Sequence, residues 1–117
     1  MMIDKEQVLS LTDQGLNIFS HYLGFEVNLH RNFRSPFYDD KRASCHVYYD
    51  KKSSMYKYYD HGDPSYAGDC FWFVAQLRGI DLRTGFRDLL ELIVWELGLR
   101  ILAGEQIKKS IAPEGQR

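Results

Sequence analysis

Cysteine and proline are scarce in this chain, and neither sign of charge accumulates. Two cysteines, Cys45 and Cys70, stand among 117 residues. That is too few for a disulfide-stapled scaffold, and no signal-peptide pattern precedes them, because Met1-Met2-Ile3 runs straight into Asp4 and Lys5. No apolar run approaches the roughly 18 residues that a membrane span needs. A reduced, cytoplasmic protein with no membrane contact is therefore expected. The formal net charge is −1, so the total charge points to no class of partner. Internal repeats and low-complexity segments are missing. So are a nucleophile elbow, a P-loop and a zinc-hydrolase motif, which argues against an enzyme. Asp39-Asp40 and Asp60/Asp63 can in principle meet a divalent ion, but carboxylates in turns usually accept from nearby backbone N–H groups.

Aromatic residues make up 15% of the chain and apolar residues 44%, enough for a true core and against disorder. The length predicts one domain, residues 1–102, followed by a polar tail or linker, residues 103–117, that carries Pro113 and Gly115. The charge is uneven along the chain. Between His30 and Lys57 lie seven cations (Arg31, Arg34, Lys41, Arg42, Lys51, Lys52, Lys57) and three carboxylates (Asp39, Asp40, Asp50). A local basic zone in a neutral chain hints at a polyanion, although a solvated sheet face has the same composition.

Periodicity predicts an α+β fold, a small antiparallel sheet flanked by N- and C-terminal helices. Asp4–Leu11 reads as a short helix and Thr12–Leu23 as a second, capped by Thr12 or Asp13 and stopped by Gly24. Phe25–His30 alternates apolar and polar, which predicts a strand with Phe25, Val27 and Leu29 inward. Ser35-Pro36 makes a turn. Ser44–Tyr49 and Met55–Tyr59 are strands of a hairpin, with the polar loop Asp50–Ser54 between them. Tyr56 and Tyr58 then lie on one face, Lys57 and Tyr59 on the other. Asp60–Gly68 is a loop. Asp69 caps a helix over Cys70–Arg78 that is apolar on nearly every side and so should be buried, with Gly79 as its stop. A last helix, about Thr84–Leu102, carries one stripe through Phe86, Leu89, Leu90, Ile93, Val94 and Leu97. A second stripe, Leu92, Trp95, Leu99 and Leu102, turns away from the first and needs its own cover.

The order of these features resembles the N-terminal zinc-binding domain of bacterial replicative primases. In that family a Cys-Pro-Phe-His knuckle leads through a polar pair and Lys-Thr-Pro-Ser-Phe into a valine-bearing strand; here the run is Ser35-Pro36-Phe37-Tyr38-Asp39-Asp40-Lys41-Arg42-Ala43-Ser44-Cys45-His46-Val47. The family's second knuckle joins an aromatic strand to Cys-x-x-Cys, a Gly-Asn/Asp pair and a hydrophobic helix; here Tyr58-Tyr59-Asp60-His61-Gly62 leads to Gly68-Asp69-Cys70-Phe71-Trp72-Phe73. Gly79-Ile80-Asp81-Leu82 and the amphipathic helix after it follow the same layout, so the resemblance covers roughly residues 10 to 97. It implies a ribbon-like sheet whose two turns face each other. The four metal positions carry Ser35, Tyr38, His61 and Pro64, of which only His61 is a zinc ligand by type, whereas structural zinc takes four Cys or His groups. No zinc and no other cofactor are expected. Cys45 falls on a core phenylalanine of the family and is read as a small core residue. Aromatic packing and hydrogen-bonded tyrosines from Phe37, Tyr38, Tyr58, Tyr59, Tyr66, Phe71 and Trp72 are expected to hold the turns instead.

In that family the domain binds single-stranded template DNA, which requires cations along the backbone and aromatic platforms for unstacked bases. The expectation is thus a non-catalytic DNA-binding module of a primase-like replication protein. Arg34, Lys41, Arg42 and Lys57 would serve as cations and the hairpin tyrosines, Tyr48 and Tyr58 foremost, as platforms. The alternative is an interaction module in which Leu92, Trp95, Leu99 and Leu102 dock a primase catalytic domain, a helicase or a second copy of the chain.

Overall fold

The computed structural model describes residues 3–101. Helix α1, Lys5–Leu11, starts at Asp4, whose carboxylate accepts from the Gln7 N–H while the Gln7 side chain accepts from the Asp4 N–H, a reciprocal capping box. The chain does not pass from α1 into a helix capped by Thr12 or Asp13. Thr12 ends α1 instead, and its hydroxyl donates back to the Val8 carbonyl at 2.7 Å. Asp13 and Gln14 then take left-handed backbone, φ 53° and 54°, followed by Gly15 at φ 95°. This corner aims the Gln14 carbonyl at the sheet, where it accepts from the Tyr56 N–H at 3.0 Å. Helix α2 therefore begins late, at Leu16–Leu23, and ends at Gly24.

Residues 25–32 form no strand. Val27 alone is buried, held by its N–H to the Ser20 hydroxyl at 3.1 Å. Phe25 and Leu29 remain exposed. Alternation supplies a strand-like face, but a strand also needs a neighbour for its backbone groups. The first pairing in this region is a single bridge, Phe33 with Cys45.

The sheet has three strands in the order β1 (Cys45–Asp50), β2 (Met55–Asp60), β3 (Ala67–Asp69), all antiparallel. The first two make the expected hairpin. The third lies inside the stretch expected to be loop. It is three residues long and contains Gly68, where a Cβ would stand 2.7 Å from Trp72 Cγ. Only glycine lets β3 run this closely into the next helix.

Helix α3, Cys70–Arg78, has the expected bounds: Asp69 accepts from the Trp72 N–H at its start and Gly79 closes it. It packs against α2, α4, β2 and β3, which explains why Cys70, Phe71, Phe73, Val74 and Ala75 are all buried. Helix α4 spans Leu82–Leu97 and is capped by Asp81 rather than starting at Thr84; Gly85 breaks its regularity and Gly98 ends it. Leu99 therefore lies beyond the helix, packed at the edge of the core. Leu102 and the expected tail, 103–117, lie outside the described residues. The result is an α+β fold in which, among the described residues, four helices flank the sheet. No described helix is long and apolar enough to cross a membrane.

Candidate nucleic-acid interface

Strand parity divides the sheet into two chemically different faces. On the inner face, Cys45, Val47, Tyr58 and Asp60 are each fully buried. Tyr58 is the centre of that face. Its ring lies within 6.4 Å of Phe19, Phe33, Phe37, Trp72 and Phe73, centroid to centroid. Its hydroxyl donates to Cys45 Sγ at 3.0 Å, and burial pushes both the phenol and the Cys45 thiol up in pKa. Tyr58 cannot offer a surface to a base, so its expected role as a stacking platform is corrected to a core role. The reading of Cys45 as a small core residue agrees with this geometry.

The two turns meet at one end of the sheet. Phe37 stacks on Tyr66 with centroids 5.1 Å apart and also touches Tyr58, Trp72 and Phe73 edge-on. Beside these rings sits a polar group that sequence reasoning missed, the Asp60 carboxylate. It accepts from the Tyr38 hydroxyl, from the Ser44 hydroxyl at 2.8 Å, and from the N–H groups of Gly62 at 2.7 Å and Asp63 at 3.2 Å. Burial alone would raise its pKa, but these four bonds together outweigh burial and hold it below the ordinary carboxylate value. Asp40 organises the first turn in the same way, accepting from the Ser35 N–H at 2.9 Å, the Arg42 N–H at 3.2 Å and the Ser44 hydroxyl at 2.9 Å; the bond from Ser35 is the main cause of its lowered pKa. Both carboxylates thus serve local donors, as carboxylates in turns do.

This junction does not fit a zinc ion. The buried Ser35 hydroxyl accepts from the Phe37 N–H, and the Tyr38 phenol is committed to Asp60. His61 is exposed and stacks on His46, away from the junction; Pro64 has no donor atom and is exposed. Among the described residues no three His, Cys, Asp or Glu side chains are grouped to hold a metal.

The outer face is built differently. Tyr48 pairs across the hairpin with Lys57, and His46 with Tyr59. The His46 ring lies 5.6 Å from Tyr48, 6.1 Å from Tyr59 and 4.9 Å from His61, the last nearly parallel at 13°. Tyr48 is 39% exposed. Lys57 spans the face to Asp50, Nζ to Oδ2 2.8 Å. That contact, first among several, draws the Asp50 carboxyl down to about 2 and raises the Lys57 pKa. Lys57 is a cation already held by a carboxylate, and any phosphate must compete with Asp50 for it.

The other expected cations sit at the turn end of the sheet. Arg34, Lys41 and Arg42 are all exposed in the segment that leads into β1, and Lys41 touches Asp39 at 3.0 Å with both side chains open to water, an ion pair worth little. Of the expected DNA-binding set, then, Tyr48 and Lys57 come together across strands, Arg34, Lys41 and Arg42 flank one end, and Tyr58 drops out. His46, Tyr59 and His61 join the face. Their signal in the sequence was parity alone: once Tyr48 and Lys57 are outward, His46 and Tyr59 must be outward too.

Of the expected partner surface, Trp95 is 80% exposed on α4, Leu92 is half-buried and Leu99 packs at the edge of the core. They do not form one helical stripe, because Gly98 ends the helix before Leu99.

Compared with models of protein families, with curated proteins and with solved structures, the chain gives no match.

Proposed function

We propose that this chain is a non-catalytic single-stranded-DNA-binding module of a primase-like replication protein, and that the outer face of its sheet is the binding surface. One observation carries the reading: the outward residues of the hairpin are aromatic and cationic by turns, Tyr48 beside Lys57 and His46 beside Tyr59. Unstacked bases have flat faces for the rings, and a flexible backbone has phosphates for the cations; such stacking contributes about 1–3 kcal/mol per base without requiring a sequence. Arg34, Lys41 and Arg42 would extend the phosphate track from the turn end. The primase association rests on the resemblance in motif order, with the Asp60 carboxylate and the Phe37–Tyr66 stack standing where that family places its ion.

The test is the affinity for a short oligo-dT at two salt concentrations, for the wild type and for Lys41→Ala and Lys57→Ala. Each lost phosphate contact should lower the slope of log Kobs against log salt by about 0.7, the single-strand value. Equal affinities and slopes in all three proteins would count against this surface.

Trp95 favours a second reading, a docking module for a catalytic domain, a helicase or a second copy. A Trp that is 80% exposed on a helix is an unusual use of so large an apolar surface. Light scattering tests the second-copy form: a dimer that becomes monomeric on Trp95→Ala supports it, and a wild-type monomer removes it.

A further inference from the structure

His61 stands where the two parts of the outer face meet. Its backbone N–H donates to the Ser44 carbonyl at 2.9 Å, which fixes the second turn beside the segment that carries Lys41 and Arg42. Its ring lies 4.9 Å from both His46, nearly parallel, and Tyr59, nearly perpendicular. The ring is exposed, while His46 beneath it is partly covered and has a buried Nδ1 with no hydrogen-bond partner. A second proton on His46 would have to sit on, or force open, that covered nitrogen. Burial first and His61 second push the His46 pKa down accordingly. The pair therefore divides its roles. His46 is a neutral aromatic floor, and His61 is the ring free to take a charge, which the π-face below it tolerates.

The charged groups around the pair favour an anion there. Asp60 adjoins His61 in sequence, but its oxygens are turned to Tyr38, Ser44, Gly62 and Asp63. Asp63 is taken by the N–H and hydroxyl of Ser65, and Asp40 by the first turn. Tyr48 and Tyr59 contribute uncharged rings, and Lys57 is paired with Asp50. Among the described residues no carboxylate forms a hydrogen bond or ion pair with either imidazole. Lys41 and Arg42, on the segment leading to Ser44, are the nearest cations in the chain path.

We infer that His61 is a proton-gated phosphate contact of the DNA-binding face, held in place by the neutral ring of His46 as a positioning residue. The inference rests on the single-stranded-DNA reading above. An ordinary imidazole titrates near pH 6.5. A phosphate that binds only the charged form must raise that midpoint, so binding takes up a proton as the pH falls.

The test is oligo-dT affinity by fluorescence anisotropy at pH 7.5 and 5.5 at constant ionic strength, since thymine does not titrate in this range. Wild-type affinity should rise about fivefold at the lower pH, the effect of one added charge contact. His61→Gln should keep the affinity at pH 7.5 and lose the rise. His46→Phe, which retains a flat floor, should keep both. In parallel, the NMR titration midpoint of the His61 ring should move up when oligo-dT is added. Binding without pH dependence, a rise that survives in His61→Gln, or an unmoved His61 midpoint would overturn this inference and leave the DNA reading standing. No binding at either pH would overturn both.

Discussion

The Tyr38 hydroxyl donates to the Asp60 carboxylate, and this bond joins the turn before β1 to the turn after β2. The two residues are 22 apart in sequence. Ser44 adds a second link from the same segment to the same carboxylate. In this fold one buried anion does the fastening, with Phe37 and Tyr66 stacked beside it.

Replacing Asp60 by Ala should therefore cost more than a surface substitution. Two hydroxyls and two N–H groups lose their acceptor in a site closed to water. Leaving such donors unsatisfied costs about 1–3 kcal/mol. Tyr38→Phe should cost about 1 kcal/mol, and the double variant should be less destabilised than the sum of the two, because both remove the same bond. Urea unfolding of the four proteins measures this; strictly additive losses would separate Tyr38 from Asp60.

Stability should fall away on both sides of neutrality through the same pair. The folded-state pKa of Asp60 is depressed, so its contribution is complete above the unfolded value of about 3.9 and is lost as pH drops through the folded value. Tyr38 behaves in the opposite sense. The bond to Asp60, then burial, raises it to about 12. Its contribution is complete below the unfolded value of about 10 and is lost as pH climbs toward 12. Urea midpoints measured across this range should show a plateau with two falling limbs. Asp60→Asn should flatten the acid limb, and an acid limb identical to that of the wild type would contradict the assignment.

The tyrosines of the hairpin should separate by face. Tyr58→Ala should destabilise by about 3–5 kcal/mol, as removal of a core ring does, while Tyr58→Phe keeps the ring and should leave oligo-dT affinity unchanged. Tyr48→Ala should leave stability within about 0.5 kcal/mol and weaken oligo-dT binding by about 1–3 kcal/mol. Paired denaturation and binding curves decide it. Lost binding in Tyr58→Phe would mean that the inner face is reached by the ligand.

How far these roles were legible in the sequence depended on how local their causes are. Helix α3 was readable from end to end because Asp69 and Gly79 act on their own neighbours. The hairpin was readable because its loop is polar and its strands are rich in Tyr. Phe25–His30 misled because alternation describes a face but cannot supply the partner strand, and none comes. Strand β3 was hidden because Ala67-Gly68-Asp69 has no strand propensity of its own and exists by pairing with β2. The late start of α2 depends on the Gln14 carbonyl reaching Tyr56, a contact 42 residues distant. In the site, alternation put Tyr58 and Lys57 on opposite faces but could not say which face would be covered. Asp60 looked like any turn aspartate, and its importance comes from Tyr38 and Ser44, which reach it only in the folded chain.

Lys57 gives a prediction of unusual sign. Asp50 holds it at 2.8 Å, so Asp50→Asn should release the cation to the ligand. Oligo-dT affinity should rise and the salt slope steepen by about 0.7, with a stability loss no larger than about 1 kcal/mol for a partly exposed pair. Anisotropy titrations at two salt concentrations read both quantities. Weaker binding in Asp50→Asn would show that Lys57 needs its carboxylate partner in order to be placed.

The location of the binding surface is tested most directly by NMR chemical-shift mapping with an oligo-dT. The account predicts perturbations concentrated at His46, Tyr48, Lys57, Tyr59 and His61, extending to Lys41 and Arg42, with the residues around Trp95 unmoved. Perturbations confined to α4, or none at saturating oligonucleotide, would contradict it.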